Sequence, residues 1–317
     1  MAQRSGNDSL AVGKWVRLVV SLCLIAVVLS KVPLDSVAHT LSRVSLVPVV
    51  AAGALFAIVN CLVTYKWQLL LRAQGLALSY RQALTTYFVG LFFNNFLPTG
   101  FGGDAARAYL VARNTGSGLN AVVSVGFDRA HSLWALLLIA APSCLYSVTA
   151  LGLPLGLGIA LTLLVVGSSV VGLVLVLGSS RIRTGLTLSH LPTGSRDNLL
   201  KLLYPFEKLG AHSGTLALSS LVALGSQMLG FVVQYLLFAS LDVPIAFPSL
   251  ITVISLVTLA TILPVSVNGI GVREGAYVVL LSGAGVPAPV AVSLSLLSFA
   301  VLTANSLLGG ILYALGK

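Results

Sequence analysis

The chain has 317 residues, of which 57% are hydrophobic and only 8% are charged, and its mean hydropathy is +1.02. A soluble domain carries about 25% charged residues, so the composition excludes a soluble globular protein and predicts an all-α protein that crosses a membrane several times. The net charge of +10 requires no nucleic-acid partner, because basic loops and their attraction to anionic lipid heads account for it. The alternating pattern of an outer-membrane barrel is absent.

Six long apolar runs predict six full transmembrane helices, since a span needs about 20 apolar residues. The first run follows Lys14 and Arg17, as a signal peptide would. No small-residue cleavage site ends it, which favours an uncleaved first helix. The six runs lie at 15–30, 44–63, 121–145, 153–177, 215–240 and 288–315.

Two further apolar runs, at 83–97 and 249–263, have only fifteen residues each. Each ends in Leu-Pro, which is followed by glycine-rich polar sequence and a brief apolar piece. Proline ends a helix and glycine permits a turn. We therefore predict two broken segments, at 83–115 and 249–285, which either re-enter from one face or cross and return.

The distribution of lysine and arginine predicts the orientation of the spans. Eleven basic residues fall on one side, including Lys66, Arg72 and five in the long polar loop at 179–213, whereas only Lys31 and Arg43 fall on the other. This asymmetry predicts a multi-pass protein of a prokaryotic cytoplasmic membrane with both termini in the cytoplasm. We expect one transmembrane domain over 1–317, with halves at about 44–149 and 214–315.

The two broken segments share a motif. Pro98 and Pro264 are each followed by glycine five residues later and by arginine nine residues later, and an Ala-Tyr pair comes soon after. By the charge asymmetry, one motif opens to the cytoplasm and the other to the outside. Paired Gly/Pro-interrupted segments in oppositely oriented halves are typical of an inverted-repeat transporter and mark its binding site.

The residue types in the two motifs suit an anion. We expect Asp104 and Asn268 to cap the half-helices that follow the glycines. The free N–H groups and the positive end of the helix dipole at such a terminus favour an anion. Arg107 and Arg273 would add planar partners for phosphate. With no ligand bound, Asp104 and Glu274 could pair with the arginines.

Polar residues also lie inside the full spans. Asp128 and Arg129 are adjacent and point about 100° apart on a helix, so they should bond to other segments. They either belong to the polar cavity or form a structural ion pair between helices. Gln227 and Gln234 lie on one helix face, where they could form inter-helix hydrogen bonds or line a cavity.

The combination of "N-x-x-P…GGD-x-x-R" from Asn95 to Arg107, the "DR" pair in the next helix and the late "P-x-x-x-x-G-x-G-x-R-E" resembles the membrane domain of lysylphosphatidylglycerol synthases. The resemblance covers roughly residues 44–315. It implies movement of a lipid with a polar head between leaflets. The chain ends at Lys317, directly after its last span, so we do not expect aminoacyl transfer.

The predicted site binds a phosphate-bearing lipid head group, from an anionic phospholipid or a polyprenyl phosphate lipid. An enzyme acting on a lipid phosphate and a scaffold for cell-envelope glycan or lipid assembly are the alternatives. All three hypotheses are compatible with a second copy of the chain or with cell-envelope biosynthesis enzymes as protein partners. The head-group residues are Asn94, Asn95, Pro98, Gly102, Gly103, Asp104, Arg107, Asp128, Arg129, Asn268, Gly269, Gly271, Arg273 and Glu274.

No catalytic, metal or cofactor site is predicted. The three cysteines, Cys23, Cys61 and Cys144, fall in apolar runs and have no disulfide or metal-site spacing. The sequence has no carboxylate pair at metal-ligand spacing, no histidine cluster and no serine with an evident base. We therefore expect a non-enzymatic protein without metal or cofactor.

Overall fold

The computed structural model describes residues 19–24, 26–27, 30, 32–97, 102–185, 208, 211–263 and 265–315, with side chains as far as 172 in the helix that ends at 185. Every regular element within these residues is a helix. The helices are α1 Leu34–Ser42, α2 Leu46–Ala73, α3 Tyr80–Phe96, α4 Gly102–Thr115, α5 Gly118–Ala150, α6 Leu155–Gly185, α7 Ser213–Ala239, α8 Phe247–Ile262, α9 Val272–Ser282 and α10 Ala288–Ala314.

Five of the described helices are long and apolar enough to cross a membrane: α2, α5, α6, α7 and α10. They correspond to five of the six predicted spans, and the all-α polytopic fold is confirmed. Of the sixth predicted span, at 15–30, the structure describes 19–24, 26–27 and 30, which are helical, and the other seven residues lie outside the described part. Helix α2 continues ten residues past the predicted end of its run, which places its polar C-terminal part inside the bundle.

The first broken segment forms a hairpin of α3 and α4 whose two outer ends lie together. Leu76 and Leu78, which precede α3, pack in one buried cluster with Val111 near the end of α4 and Ala121 in the first turn of α5. The Lys208 ammonium donates to the Gln74 carbonyl, at 3.2 Å, and places the end of the long loop here too. We call this end of the bundle, with residues 73–80 and 115–118, the basic end.

The second broken segment forms a hairpin of α8 and α9 at the opposite end of the bundle. The Ser45 N–H, before α2, donates to the Ser240 carbonyl, after α7, at 2.9 Å, and α8 begins seven residues later. A Cβ on Gly283, which follows α9, would lie 2.4 Å from the Leu151 carbonyl oxygen at the end of α5. Both ends of this hairpin therefore lie at the opposite end, with residues 43–46, 150–155 and 239–247.

Glycines hold the first hairpin tightly within the bundle. A Cβ on Gly103 would lie 1.9 Å from the Gly90 carbonyl oxygen, so α3 and α4 approach each other backbone to backbone. A Cβ on Gly309 of α10 would lie 1.9 Å from the Phe88 carbonyl oxygen. Small residues let membrane helices approach this closely, where packing rather than hydrophobicity drives association. Helix α3 is thus fixed between α4 and α10.

The division into two repeated halves, at about 44–149 and 214–315, stays a prediction. Most of the predicted cytoplasmic loop at 179–213, with Arg196 and Lys201, lies outside the described residues. The two hairpins nevertheless start from opposite ends of the bundle, which is the arrangement that the inverted repeat requires. Each has a first helix of 17 or 16 residues, or about 25 Å, so each tip lies deep inside.

Candidate functional site

A buried ion-pair network surrounds the tip of the first hairpin. Asp128 of α5 forms two salt bridges. Its Oδ1 lies 2.9 Å from Nζ of Lys66 in α2, and its Oδ2 lies 2.8 Å from Nη2 of Arg107 in α4. Lys66 is 1% exposed and Asp128 is 4% exposed, by side chain. Lys66 also donates to the Ser132 hydroxyl, one turn along α5. One carboxylate thus compensates two cations from different helices.

Two aromatic rings complete the surroundings of Arg107. Its guanidinium carbon lies 4.0 Å from the centroid of Trp67 and 4.9 Å from that of Tyr87. A guanidinium over an aromatic face gains cation–π attraction, most strongly when water is excluded. Gly90 makes room for the arginine, since a Cβ there would lie 2.5 Å from the Arg107 side chain. The two rings and Gly90 therefore fix the orientation of the guanidinium, while Asp128 compensates its charge.

Asp104 and Arg129 form the outer part of the same network. Arg129 Nε lies 2.5 Å from Asp104 Oδ2, and the Arg129 side chain is 45% exposed. Arg107 Nη1 lies 3.8 Å from Asp104 Oδ1, which links the outer pair to the buried triad. The network holds three cations and two carboxylates, and therefore one net positive charge.

Lys66 was missed by the sequence interpretation, which assigned it to the basic loops. The structure corrects that assignment: Lys66 lies seven residues before the end of α2, roughly 10 Å inside the helix. The predicted span ended at Val63 because Tyr65 and Lys66 are polar, although an apolar run at 69–71 follows them. That second apolar run was the signal that the helix continues. Without Lys66, ten basic residues remain on the predicted cytoplasmic side.

The tip of the second hairpin carries a simpler ion pair. Arg273 Nε lies 3.4 Å from Oε1 of the adjacent Glu274, and the guanidinium lies over the Phe299 ring at 4.5 Å. Glu274 also accepts from the Gly271 N–H at 2.6 Å and from the Ser295 hydroxyl at 3.0 Å. The expected pairing of Glu274 with arginine is therefore present, and this pair is neutral overall.

The predicted caps of the half-helices are wrong in both hairpins. The Gly103 N–H in the first turn of α4 donates to Asn94 Oδ1 at 2.9 Å, while Asp104 pairs with Arg129. Glu274, three residues into α9, accepts from the Gly271 N–H at that helix's N-terminus. Both caps come from residues that sequence spacing did not favour. In the first hairpin the capping side chain, Asn94, comes from the preceding helix, which lies beside the start of α4 because the chain folds back there. In the second hairpin the capping side chain, Glu274, lies in the first turn of α9 itself.

The two tips touch each other. The Asn268 amide donates to the Asn95 carbonyl oxygen at 2.7 Å, and the Asn95 amide donates to the Ser306 hydroxyl of α10 at 2.8 Å. The turn that holds Asn268 uses left-handed backbone, with φ of 51° at Asn268, 74° at Gly269 and 83° at Gly271. Glycine adopts such angles without strain. These residues shape the contact between the hairpins.

A cavity of about 200 Å³ lies between α2, α5, α7 and α8. Its walls combine valine, phenylalanine and isoleucine side chains with a few polar groups. The polar lining residues are Ser132, Ser226, Gln227, Gln234 and Thr258. Ser132 is the partner of Lys66, and Gln234 accepts from Ser298 at 2.9 Å and Tyr277 at 3.5 Å, near the second tip. The two glutamines line the cavity, and Gln234 also bonds between helices.

The structure brings most of the predicted head-group residues into two tip regions. Asn94, Gly103, Asp104, Arg107, Asp128 and Arg129 lie at the first tip. Gly271, Arg273 and Glu274 lie at the second, and Asn95, Asn268 and Gly269 lie where the tips meet. Gly102 begins α4, and Pro98 lies outside the described residues. Lys66, Trp67, Tyr87 and Ser132 are additional residues of the first tip.

Within the described part of the chain, no three His, Cys, Asp or Glu side chains cluster closely enough to hold a metal ion.

Comparison with known families gives a match over most of the chain. The family described as the lysylphosphatidylglycerol synthase TM region matches residues 14–309. The match begins thirty residues before the range over which the motifs suggested a resemblance, so it includes the first apolar run. No curated protein matches the chain.

Proposed function

The chain belongs to the family of the lysylphosphatidylglycerol synthase transmembrane region, and from that premise we propose that it moves a lipid with an anionic head group between the two leaflets. The family match and the five long apolar helices establish an integral membrane protein. Transfer of a lipid between leaflets is the part of the function that we propose.

The observation that carries the proposal is the net positive ion-pair network inside the bundle. A lysine or arginine at the centre of a spanning helix costs about 2.5–3.5 kcal/mol on insertion scales. Lys66, Arg107 and Arg129 share two carboxylates, Asp128 and Asp104, so one positive charge of the network is not neutralised. One head-group phosphate of charge −1 would complete the balance, and the acyl or prenyl chains would stay in the bilayer.

The hairpin geometry supports transfer between leaflets. The first hairpin starts from the basic end and the second from the opposite end, and they meet at the contact between Asn95 and Asn268. Broken helices whose tips meet near the middle of the membrane are the elements on which alternating-access transporters place their substrates. In this proposal the tips move against each other, and a head group passes from one side of the contact to the other.

Arg107 retains one N–H donor that is available to a phosphate. In the structure one of its two terminal nitrogens bonds to Asp128, while its Nε has no hydrogen-bond partner among the described residues. A phosphate that approaches this group could accept from it without breaking the bond to Asp128. Arg129, which is exposed on the same network, is the residue that a head group would meet first.

Reconstitution of the purified protein into liposomes tests the proposal against its alternatives. A fluorescent phospholipid placed in one leaflet is followed by dithionite quenching for leaflet exchange, and by chromatography for chemical conversion. The proposal predicts exchange of intact lipid. Conversion of the lipid would identify an enzyme acting on a lipid phosphate, and neither exchange nor conversion of any lipid offered would favour a scaffold.

A further inference from the structure

His131 of α5 is a buried side chain that the proposed function does not use. It is 8% exposed, and its ring lies between those of Phe127 and Trp134, whose centroids are 5.9 Å and 5.8 Å away. Its Nε2 lies 3.1 Å from the hydroxyl oxygen of Ser220 in α7, whereas its Nδ1 is buried and has no hydrogen-bond partner among the described residues. A buried polar atom without a partner is costly, so Nδ1 should gain a partner in another state of the protein.

The hydrogen bonds of Ser220 fix which ring nitrogen of His131 carries the hydrogen. The Ser220 hydroxyl donates to the Leu216 carbonyl at 3.0 Å, and a hydroxyl has one hydrogen to donate. Ser220 therefore accepts from His131, and Nε2 is the nitrogen that donates. The neutral ring then has a bare lone pair at Nδ1. The unpartnered atom is thus an acceptor, and a proton is the smallest group that can occupy it.

The charged groups beside His131 belong to the ion-pair network of the first tip. Asp128 precedes His131 by one turn of α5, and Lys66 of α2 and Arg107 of α4 both bond to Asp128. Helix α7 faces His131 with the uncharged Ser220, and the described side chains of α6 and α8 include no titratable group. Among the described residues, Lys66 and Asp128 are the charged groups that act most directly on the His131 ring.

The charge of the network decides whether a proton on Nδ1 is tolerated. The empty network has one net positive charge, and a charged imidazole close to Lys66 would add a second. A head-group phosphate of charge −1 would cancel the first charge and so remove the opposition to the second. The ring faces of Phe127 and Trp134 also favour a cation between them. Anion and proton should therefore each strengthen the binding of the other, because such coupling is reciprocal.

From this arrangement we infer that His131 binds one proton when an anionic lipid head occupies the first tip, so that lipid and proton are carried together. The inference rests on the proposed function and adds a source of energy to it. The proton comes from water on the more acidic side and adds to the Nδ1 lone pair, and no bond of the lipid breaks. A pH difference across the membrane then drives lipid toward the less acidic side. An anion that moves with a proton carries no net charge through the membrane potential.

Binding of phosphatidylglycerol in detergent, measured between about pH 5 and 8 where histidine changes its charge, tests the inference. The lipid phosphodiester stays ionised throughout this range. The affinity of the native protein should fall as the pH rises, by up to about tenfold per pH unit, since the slope counts the protons taken up. His131→Gln should bind equally at every pH, because glutamine can donate to Ser220 but cannot gain a charge. His39→Gln, at an exposed histidine of α1, is the control and should keep the native slope.

The outcomes separate the inference from the function on which it rests. A native affinity that does not change with pH overturns the inference, and so does a His131→Gln protein that keeps the native slope. If phosphatidylglycerol still exchanges between leaflets in either case, the proposed function stands and the coupling to protons is lost. No binding of phosphatidylglycerol at any pH, with no exchange, would overturn both.

Nitrogen NMR of the His131 ring covers the case in which His131→Gln does not fold. The other three histidines are removed by His39→Gln, His190→Gln and His212→Gln, so that ring ¹⁵N labelling reports His131 alone. Without lipid, Nδ1 should give the signal of a bare lone pair and Nε2 that of an N–H group. Saturation with phosphatidylglycerol at mildly acidic pH should convert the Nδ1 signal to that of a protonated nitrogen. A spectrum that lipid leaves unchanged contradicts the inference, as does a lone pair found on Nε2.

Discussion

The Asn268 side-chain amide donates a 2.7 Å hydrogen bond to the backbone carbonyl of Asn95, 173 residues earlier in the chain. This bond joins the tips of two helical hairpins that start from opposite ends of the bundle. On one side of the contact lies the network of Lys66, Arg107 and Asp128, and on the other lies the pair of Arg273 and Glu274.

Asp128 should be essential for stability, because it is the shared partner of two buried cations. Asp128→Asn leaves Lys66 without a counter-charge and leaves Arg107 with only the more distant Asp104 carboxylate, at 3.8 Å. Loss of one partner from a buried ion pair typically costs about 3–5 kcal/mol, so the variant should unfold at a clearly lower temperature in detergent. The double variant with Lys66→Met should recover part of the loss, because one cation is removed. A double variant no more stable than Asp128→Asn would contradict the assignment of the triad.

Gly103 should tolerate no side chain. A Cβ at this position would lie 1.9 Å from the Gly90 carbonyl oxygen, which is backbone and cannot move away cheaply. Gly103→Ala should therefore destabilise the protein by at least the ~1–3 kcal/mol of overpacking, as measured by thermal unfolding. Gly126→Ala is the control, since a Cβ there has no atom within 4 Å. Equal melting temperatures for the two variants would show that the hairpin does not pack as described.

The two ends of the bundle should face opposite compartments. Single cysteines are placed at Arg72 near the basic end and at Asp242 at the opposite end, in a protein without its three native cysteines. The positive-inside rule predicts that only position 242 is labelled by an impermeant maleimide from outside. Position 201 of the long loop should resist labelling from outside as Arg72 does. Labelling of position 201 from outside would contradict the oppositely oriented hairpins.

Asp104 should set the charge preference of the site. Asp104→Asn raises the net charge of the network from one to two positive charges, so the preference should shift toward lipids with more anionic heads. A phosphomonoester lipid should then compete better against phosphatidylglycerol than it does with the native protein. Asp35→Asn, which changes an exposed aspartate in the first turn of α1, is the control. An unchanged preference would mean that Asp104 and Arg129 only hold helices together.

The broken helices could be predicted from sequence because their signals are local. Leu-Pro followed by glycines ends a short apolar run in both halves, and the structure has a hairpin at each place. The pairing of Asp128 and Arg129 with other segments followed from their adjacency on one helix. Partners brought together across the bundle carry no such local signal. For example, Trp67 of α2 and Tyr87 of α3 contact Arg107, and no sequence motif identifies either residue as its partner.

The similarity of the two motifs also predicted more symmetry than the structure has. Tyr109 and Tyr277 occupy matching positions, but Tyr109 is 66% exposed and Tyr277 is 2% exposed. Arg107 pairs with Asp128 of the next helix, whereas Arg273 pairs with its own neighbour, Glu274. Each hairpin packs against different helices. Residues at matching positions of the two motifs therefore differ in burial and in their ion-pair partners.

The central claim is that Arg107 contributes to the transfer of an anionic lipid, and one comparison tests it most directly. Native protein, Arg107→Ala, Arg107→Lys and Arg113→Ala are reconstituted at equal density, and exchange of fluorescent phosphatidylglycerol between leaflets is measured. Arg113 is the matched control, because it is exposed on the same helix six residues further along. The account predicts native exchange for Arg113→Ala, strongly reduced exchange for Arg107→Ala, and partial recovery with lysine, which lacks the planar fork. It also predicts that unlabelled anionic phospholipid slows the labelled lipid and that diacylglycerol does not. Native exchange by a folded Arg107→Ala protein, or equal competition by diacylglycerol, would contradict the account.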